Sequence, residues 1–263
     1  MTTSHPLVAL AVGFALAAGP AAASGLSASY AVNVAGITVL DFTALLDFNE
    51  GAYAVETTAR TRGLAAVFVS GRQVSRVNGA WRGVQPAPAR YRADGVWRGA
   101  VRHTELDYER GLPLVRVLDP PETDLRFPVP PEQQSETIDP LSAFARLVRQ
   151  VRDTGRCDGQ VSIFEGRVRL EITVRTEGIQ HLDGGGGWSG DALRCAYESR
   201  TVAGFRRDQD SADAARLERG TAWIAAPAPG MLPVPVRIDA SNRWFGSTTI
   251  RLVHVEALPN RQQ

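Results

Sequence analysis

The chain has 263 residues, 44% hydrophobic and 22% charged, with 29 basic residues against 28 acidic ones. That balance fits one or two globular domains, excludes a collagen-like or long disordered chain, and argues against a dedicated nucleic-acid binder. All 29 basic residues are Arg, so a Lys Schiff base and a phosphate-loop Lys are impossible. Two Cys cannot build a four-Cys zinc site or an iron–sulfur cluster.

Residues 7–18 form an apolar run of twelve, too short for a membrane-spanning helix of about 20 residues. Pro20 follows, and Ala21 and Ala23 fit a small-residue cleavage site. The pattern predicts a secretory signal peptide over residues 1–23 and a mature domain over residues 24–263. No other stretch approaches transmembrane length. The expected location is the periplasm. An oxidising compartment favours pairing Cys157 with Cys195, the only two cysteines. Closing that loop is worth about 4 kcal/mol in the chain-entropy model.

The remainder reads mostly as strands. Alternating apolar residues predict them over 27–34, 38–48, 53–61, 72–81, 90–97, 101–108 and 112–117, separated by Gly, Pro or Asn. Six prolines between residues 119 and 140 mark an extended connector. A helix follows, with Asp139 as N-cap, Pro140 at its first position and Gly155 at its end. Leu141, Phe144, Ala145, Leu147, Val148 and Val151 give it an apolar stripe. Arg146, Arg149, Gln150 and Arg152 are expected to face water. Strands resume over 160–164, 168–175, 193–205, 221–225, 234–240 and 247–256. Gly184 to Gly187 reads as a hairpin tip, and residues 206–219 as a loop or short helix. The expected fold is mainly β: a large curved antiparallel sheet or open β-barrel meander with one packed helix.

The order of several phrases is similar to one family. They are Thr61-Arg62-Gly63-Leu64, Tyr91 through Arg98-Gly99, Glu105-Leu106-Asp107-Tyr108, Asp119-Pro120-Pro121, Asp139-Pro140-Leu141-Ser142 and Arg156-Cys157-Asp158-Gly159. Together they resemble the domain-of-unknown-function family 3108 of exported bacterial proteins, over nearly all the mature chain. The resemblance implies a periplasmic, β-rich domain with a single helix. It brings no activity and no functional residues. A curved sheet with a helix across its concave face is also similar, at fold level alone, to periplasmic lipoprotein carriers.

Charge is segregated. Nine Arg and one acid lie between Arg60 and Arg102, and nine acids and three Arg lie between His103 and Asp139. All nine Arg occupy even positions, and even positions of one strand share a face. One reading is an arginine-lined face for anions such as lipid phosphates. The other is a solvated face with cross-strand ion pairs, worth about 0.2–1 kcal/mol each. A hairpin turn at Gly99-Ala100 would set Arg92 opposite Asp107, Arg90 opposite Glu109 and Trp97 opposite Arg102. Arg60, Arg62, Arg72 and Arg76 have no acidic neighbour in sequence and are the anion-binding candidates. Residues 64–69 (LAAVFV) supply an apolar lip through Leu64, Val67 and Phe68, or a plug at one end of the sheet.

Catalytic and metal motifs are thin. His103, His181 and His254 lack ligand spacing, no G-x-S-x-G occurs, and nothing points to a cofactor. The leading expectation is a non-enzymatic envelope protein that binds a hydrophobic or amphiphilic anionic, lipid-like ligand in the concave face of the sheet. The alternative is a module that binds an envelope protein through a sheet edge or the acidic connector. A hydrolase ranks third and requires a His, a Ser and an acid meeting in one cleft.

Overall fold

The computed structural model describes residues 25–63, 66, 70–121, 123, 125–185, 187–242 and 246–258. The segment expected to be a signal peptide, and Leu64, Val67 and Phe68 of the expected apolar lip, lie outside the described residues.

Thirteen antiparallel strands form one sheet. They are β1 (Gly25–Val34), β2 (Ile37–Phe48), β3 (Ala52–Thr61), β4 (Gly71–Arg82), β5 (Gln85–Trp97), β6 (Ala100–Glu109) and β7 (Leu112–Asp119), then β8 (Gly159–Phe164), β9 (Arg169–Asp183), β10 (Ser189–Ala203), β11 (Glu218–Ala225), β12 (Val234–Asn242) and β13 (Gly246–Leu258). Spatially the order runs β7 to β1, then β13 back to β8. The β1–β13 pairing therefore joins two meanders, and β7 and β8 are the two edges.

Between the edges lie the Pro-rich connector and helix α1 (Pro140–Thr154). A second, four-residue helix α2 (Ser211–Ala214) precedes β11. The connector runs along β8, where Ile138 pairs with Ile163 in parallel fashion. The β8–β9 turn reaches back to the other half of the sheet. Its Arg167 guanidinium donates to Thr104 Oγ1 of β6, and to the carbonyls of Asp119 at 3.2 Å and Pro120 at 3.1 Å. Glu165 shapes that turn by accepting from the Arg167 and Val168 amides. The sheet is thus open in its ladder and clasped by a side chain.

Three sequence expectations need correction. The β5–β6 turn is Arg98-Gly99, both at positive φ, so Arg90 faces Asp107, Arg92 faces Glu105 and Trp97 faces Ala100. A two-residue turn with left-handed backbone at both positions matches the strand twist, and Gly at its second position meets that need. Strand β5 starts at Gln85, despite Pro86 and Pro88. The two prolines precede the stretch paired with β6, where a missing N–H costs no ladder bond. Strand β9 runs to Asp183 rather than stopping near residue 175. Glu177 is absorbed as a register shift opposite Arg194 and Cys195, with Gly178 at φ 111°.

Odd positions of β3, β4 and β5 face inward. Tyr53, Val55, Val77, Trp81 and Tyr91 are all buried there. With Leu26, Leu46 and Phe48 they form the main core, which helix α1 covers. Phe48, Tyr53 and Trp81 make edge and tilted ring contacts with centroids 4.6–6.4 Å apart. A smaller cluster, with Val151, Leu193 and Ile224, surrounds the Cys157–Cys195 disulfide, whose Cα atoms are 6.3 Å apart. The bridge ties the segment after α1 to β10.

Candidate ligand site beside the helix

Helix α1 is positioned by a buried polar cluster. Asp139, fully buried, caps it by accepting from the Leu141 and Ser142 amides at 3.0 and 2.9 Å. The Ser142 hydroxyl donates to Asp139 at 2.5 Å and lies 2.7 Å from Tyr53 Oη on β3. Burial pushes the Asp139 carboxyl up to about 6, against the lowering effect of its hydrogen bonds. Burial likewise raises the phenols of Tyr53, Tyr91 and Tyr108. At the far end the αL residue Gly155 closes the helix. Arg149, expected in water, stacks over Trp81 at 4.4 Å. Its stem covers apolar surface, and the ring face attracts the cation.

Leu141, Ala145, Val148 and Val151 point into the two cores. Phe144 and Leu147 do not bury fully. They form one wall of a groove of about 230 Å³, and Val161, Ile172 and Val174 of β8 and β9 form the other. Gln150 and Arg146 stand at its mouth. Gln150 donates to the Asp158 carbonyl and Arg146 to the Gln160 carbonyl. Arg146, Gln160 and Val161 also line an adjoining cavity of about 470 Å³, whose walls include Gln85, Thr137 and Ser162, with one carboxylate, Glu136. An apolar trough thus opens onto a polar vestibule, with Arg146 between them. The pair reaches the size of about 300–1,000 Å³ common to small-molecule sites.

The sequence reading assigned Phe144 and Leu147 to the core and Arg146 to water. A signal was present: the six-residue apolar stripe is wider than the roughly 100° a core-facing helix needs. The margin holding Phe144 and Leu147 lines the groove. The second wall comes from strands that follow the helix in sequence, which periodicity alone does not place.

Arg60, Arg62, Arg72 and Arg76 are exposed on the outer face of β3 and β4, opposite the buried odd positions. Arg76 lines a cavity of about 420 Å³ together with Leu46, Val55 and Val77 of the main core. Two of these arginines have acidic partners: Arg62 meets Asp41 at 3.0 Å and Arg76 meets Glu56 at 2.8 Å. Sequence neighbours did not reveal these, because the partners come from cross-strand register. Arg90 with Asp107 at 2.6 Å and Arg92 with Glu105 at 2.9 Å extend the ion pairs across the sheet. Such exposed pairs contribute little, because water screens them. Arg60 and Arg72 differ. They face each other directly, and among the described residues neither has a carboxylate in ion-pair range.

The histidines meet carboxylates: His103 lies 2.5 Å from Asp94, His181 2.7 Å from Asp191 and His254 3.9 Å from Glu256. Among the described residues no group of three His, Cys, Asp or Glu is placed to hold a metal ion, and no helix is long and apolar enough to cross a membrane.

Among solved structures, the chain is similar to the crystal structure of a β-barrel-like protein of domain of unknown function DUF1849 from Brucella abortus. The two are 13% identical, with a TM-score of 0.53, over 91% of this chain and 100% of that one. At that identity the likeness is one of fold. No curated protein matches the chain. The model of the family described as "Protein of unknown function (DUF3108)" matches residues 27–253, and the chain belongs to that family.

Proposed function

We propose that this protein is a non-enzymatic, exported binding protein for a small amphiphile, whose apolar part lies in the groove between α1 and β8–β9. The observation that carries the reading is the partly buried apolar wall of Phe144, Leu147, Val161, Ile172 and Val174, with Arg146 at its polar mouth. A guanidinium there suits a carboxylate or phosphate head. The buried disulfide supports an oxidising compartment. This site is preferred to the arginine site expected from sequence because Arg62 and Arg76 already pair with Asp41 and Glu56.

Groove-filling tests the reading. Ala143 lines the trough, and Ala143→Trp places an indole in it. A fluorescent medium-chain fatty acid should bind the native chain and lose most of its affinity for Ala143→Trp. Arg146→Gln should weaken the carboxylate probe more than the corresponding alcohol. Equal binding by all three chains refutes the assignment. A second reading, an interaction module, has one observation behind it: edge strand β7 presents exposed Leu112, Val115 and Val117.

A further inference from the structure

The outer face at the β5–β6 turn end carries an unusual row. Asp41, Arg60, Arg72, Val96 and Val101 lie side by side on five adjacent strands. Arg60 and Arg72 are directly opposed, and like charges so placed destabilise a ladder. The carboxylates nearby are already engaged: Asp41 with Arg62, Glu56 with Arg76, and Asp94 with His103. Asp41 lies opposite Arg60 but pairs with Arg62, so among the described residues neither Arg60 nor Arg72 makes an ion pair of its own. Next to them, Val96 is 44% exposed and Val101 64% exposed. Trp97, also 44% exposed, lies at the same strand end but on the inner face, with its ring against Gly71. Arg98 forms the exposed tip of the turn.

Paired cations without an ion pair of their own, beside exposed aliphatic side chains, match the chemistry of a membrane surface. Anionic headgroups supply the missing charge, and aliphatic side chains partition into the interfacial layer. A solvated strand face has no need of the apolar members, and a purely apolar partner would leave the two arginines desolvated without a counter-ion. We propose that this end of the sheet docks on an anionic phospholipid bilayer, with Arg60 and Arg72 contacting headgroups and Val96 and Val101 the interface. The proposal does not depend on the groove beside α1, which lies on the inner side of the sheet.

Vesicle flotation tests it with the mature chain. The probes are phosphatidylcholine vesicles with and without about one-third phosphatidylglycerol, at low and physiological salt. Binding is expected to the anionic vesicles alone and to weaken as salt rises. Arg60→Gln/Arg72→Gln should lower affinity about 25-fold, from about 1 kcal/mol per arginine at 1.4 kcal/mol per tenfold. Removing a like-charged pair should not harm folding, and an unchanged melting temperature checks this. Val101→Ser provides an independent variant, also expected to bind less. Arg76→Gln, which breaks an existing ion pair on the same face, should bind like the native chain. Equal binding to neutral vesicles overturns the proposal, as does unaltered binding by the double variant. Full displacement by millimolar inorganic phosphate would also overturn it, by making this a site for a soluble anion.

Discussion

Tyr53 Oη and Ser142 Oγ lie 2.7 Å apart and join strand β3 to the first turn of helix α1. The contact spans 89 residues of sequence. It sets the helix against β3–β5 and so determines how much of its opposite flank remains for the groove. Tyr53→Phe should keep the ring contacts with Phe48 and Trp81 and lose only this hydrogen bond. The expected cost is about 0.5–1.5 kcal/mol, measured by denaturant unfolding. No change would mean that the ring packing alone holds the helix.

Asp139 is the second anchor and makes stability depend on pH. Its folded carboxyl is pushed up to about 6 by burial, above its unfolded value of about 3.9. Between those values the native state binds more protons than the unfolded state. This group's contribution therefore falls as pH rises from about 4 to 6. Asp139→Asn keeps an N-cap side chain and should flatten the stability profile in that window. Asp139→Ala also removes the cap, at a further cost of about 0.5–2 kcal/mol. Melting curves from pH 4 to 7 distinguish the three chains.

The side-chain clasp between the sheet's two edges should matter more than the surface ion pairs. Arg167 donates to buried Thr104 and to the backbone carbonyls of Asp119 and Pro120. Arg167→Leu should cost about 1–3 kcal/mol. Arg76→Gln, which loses only an exposed pair with Glu56, should cost no more than about 1 kcal/mol. Comparable losses would contradict the clasp.

The disulfide has its own test. Reduction, or replacement of Cys157 and Cys195 by Ala, should cost about 4 kcal/mol if its effect lies in loop closure of the unfolded chain. The same loss measured in strongly reducing buffer for the native chain confirms the origin.

Much of this fold was legible because inward and outward residues alternate, as from Tyr53 to Thr57 in β3, and Gly marks turns such as those at Gly83, Gly99 and Gly111. The helix was legible at both ends, since Asp139, Pro140 and Gly155 act through local backbone chemistry. Register was not. Placing the β5–β6 turn one residue late moved every ion pair on that hairpin by two positions, from Arg92–Asp107 to Arg92–Glu105. The partners of Arg62 and Arg76 were hidden for a related reason, because cross-strand neighbours about 20 residues away are invisible to local charge counting. The groove needs two elements, α1 and β8–β9, and the helix stripe hinted at only one of them.

Native mass spectrometry of the protein purified from its own cells, with lipid extraction of the same sample, tests the central claim most directly. The account predicts a co-purifying amphiphile of fixed mass on the native chain and its loss from Ala143→Trp. A clean apo mass for the native chain, or the same adduct on Ala143→Trp, would contradict it.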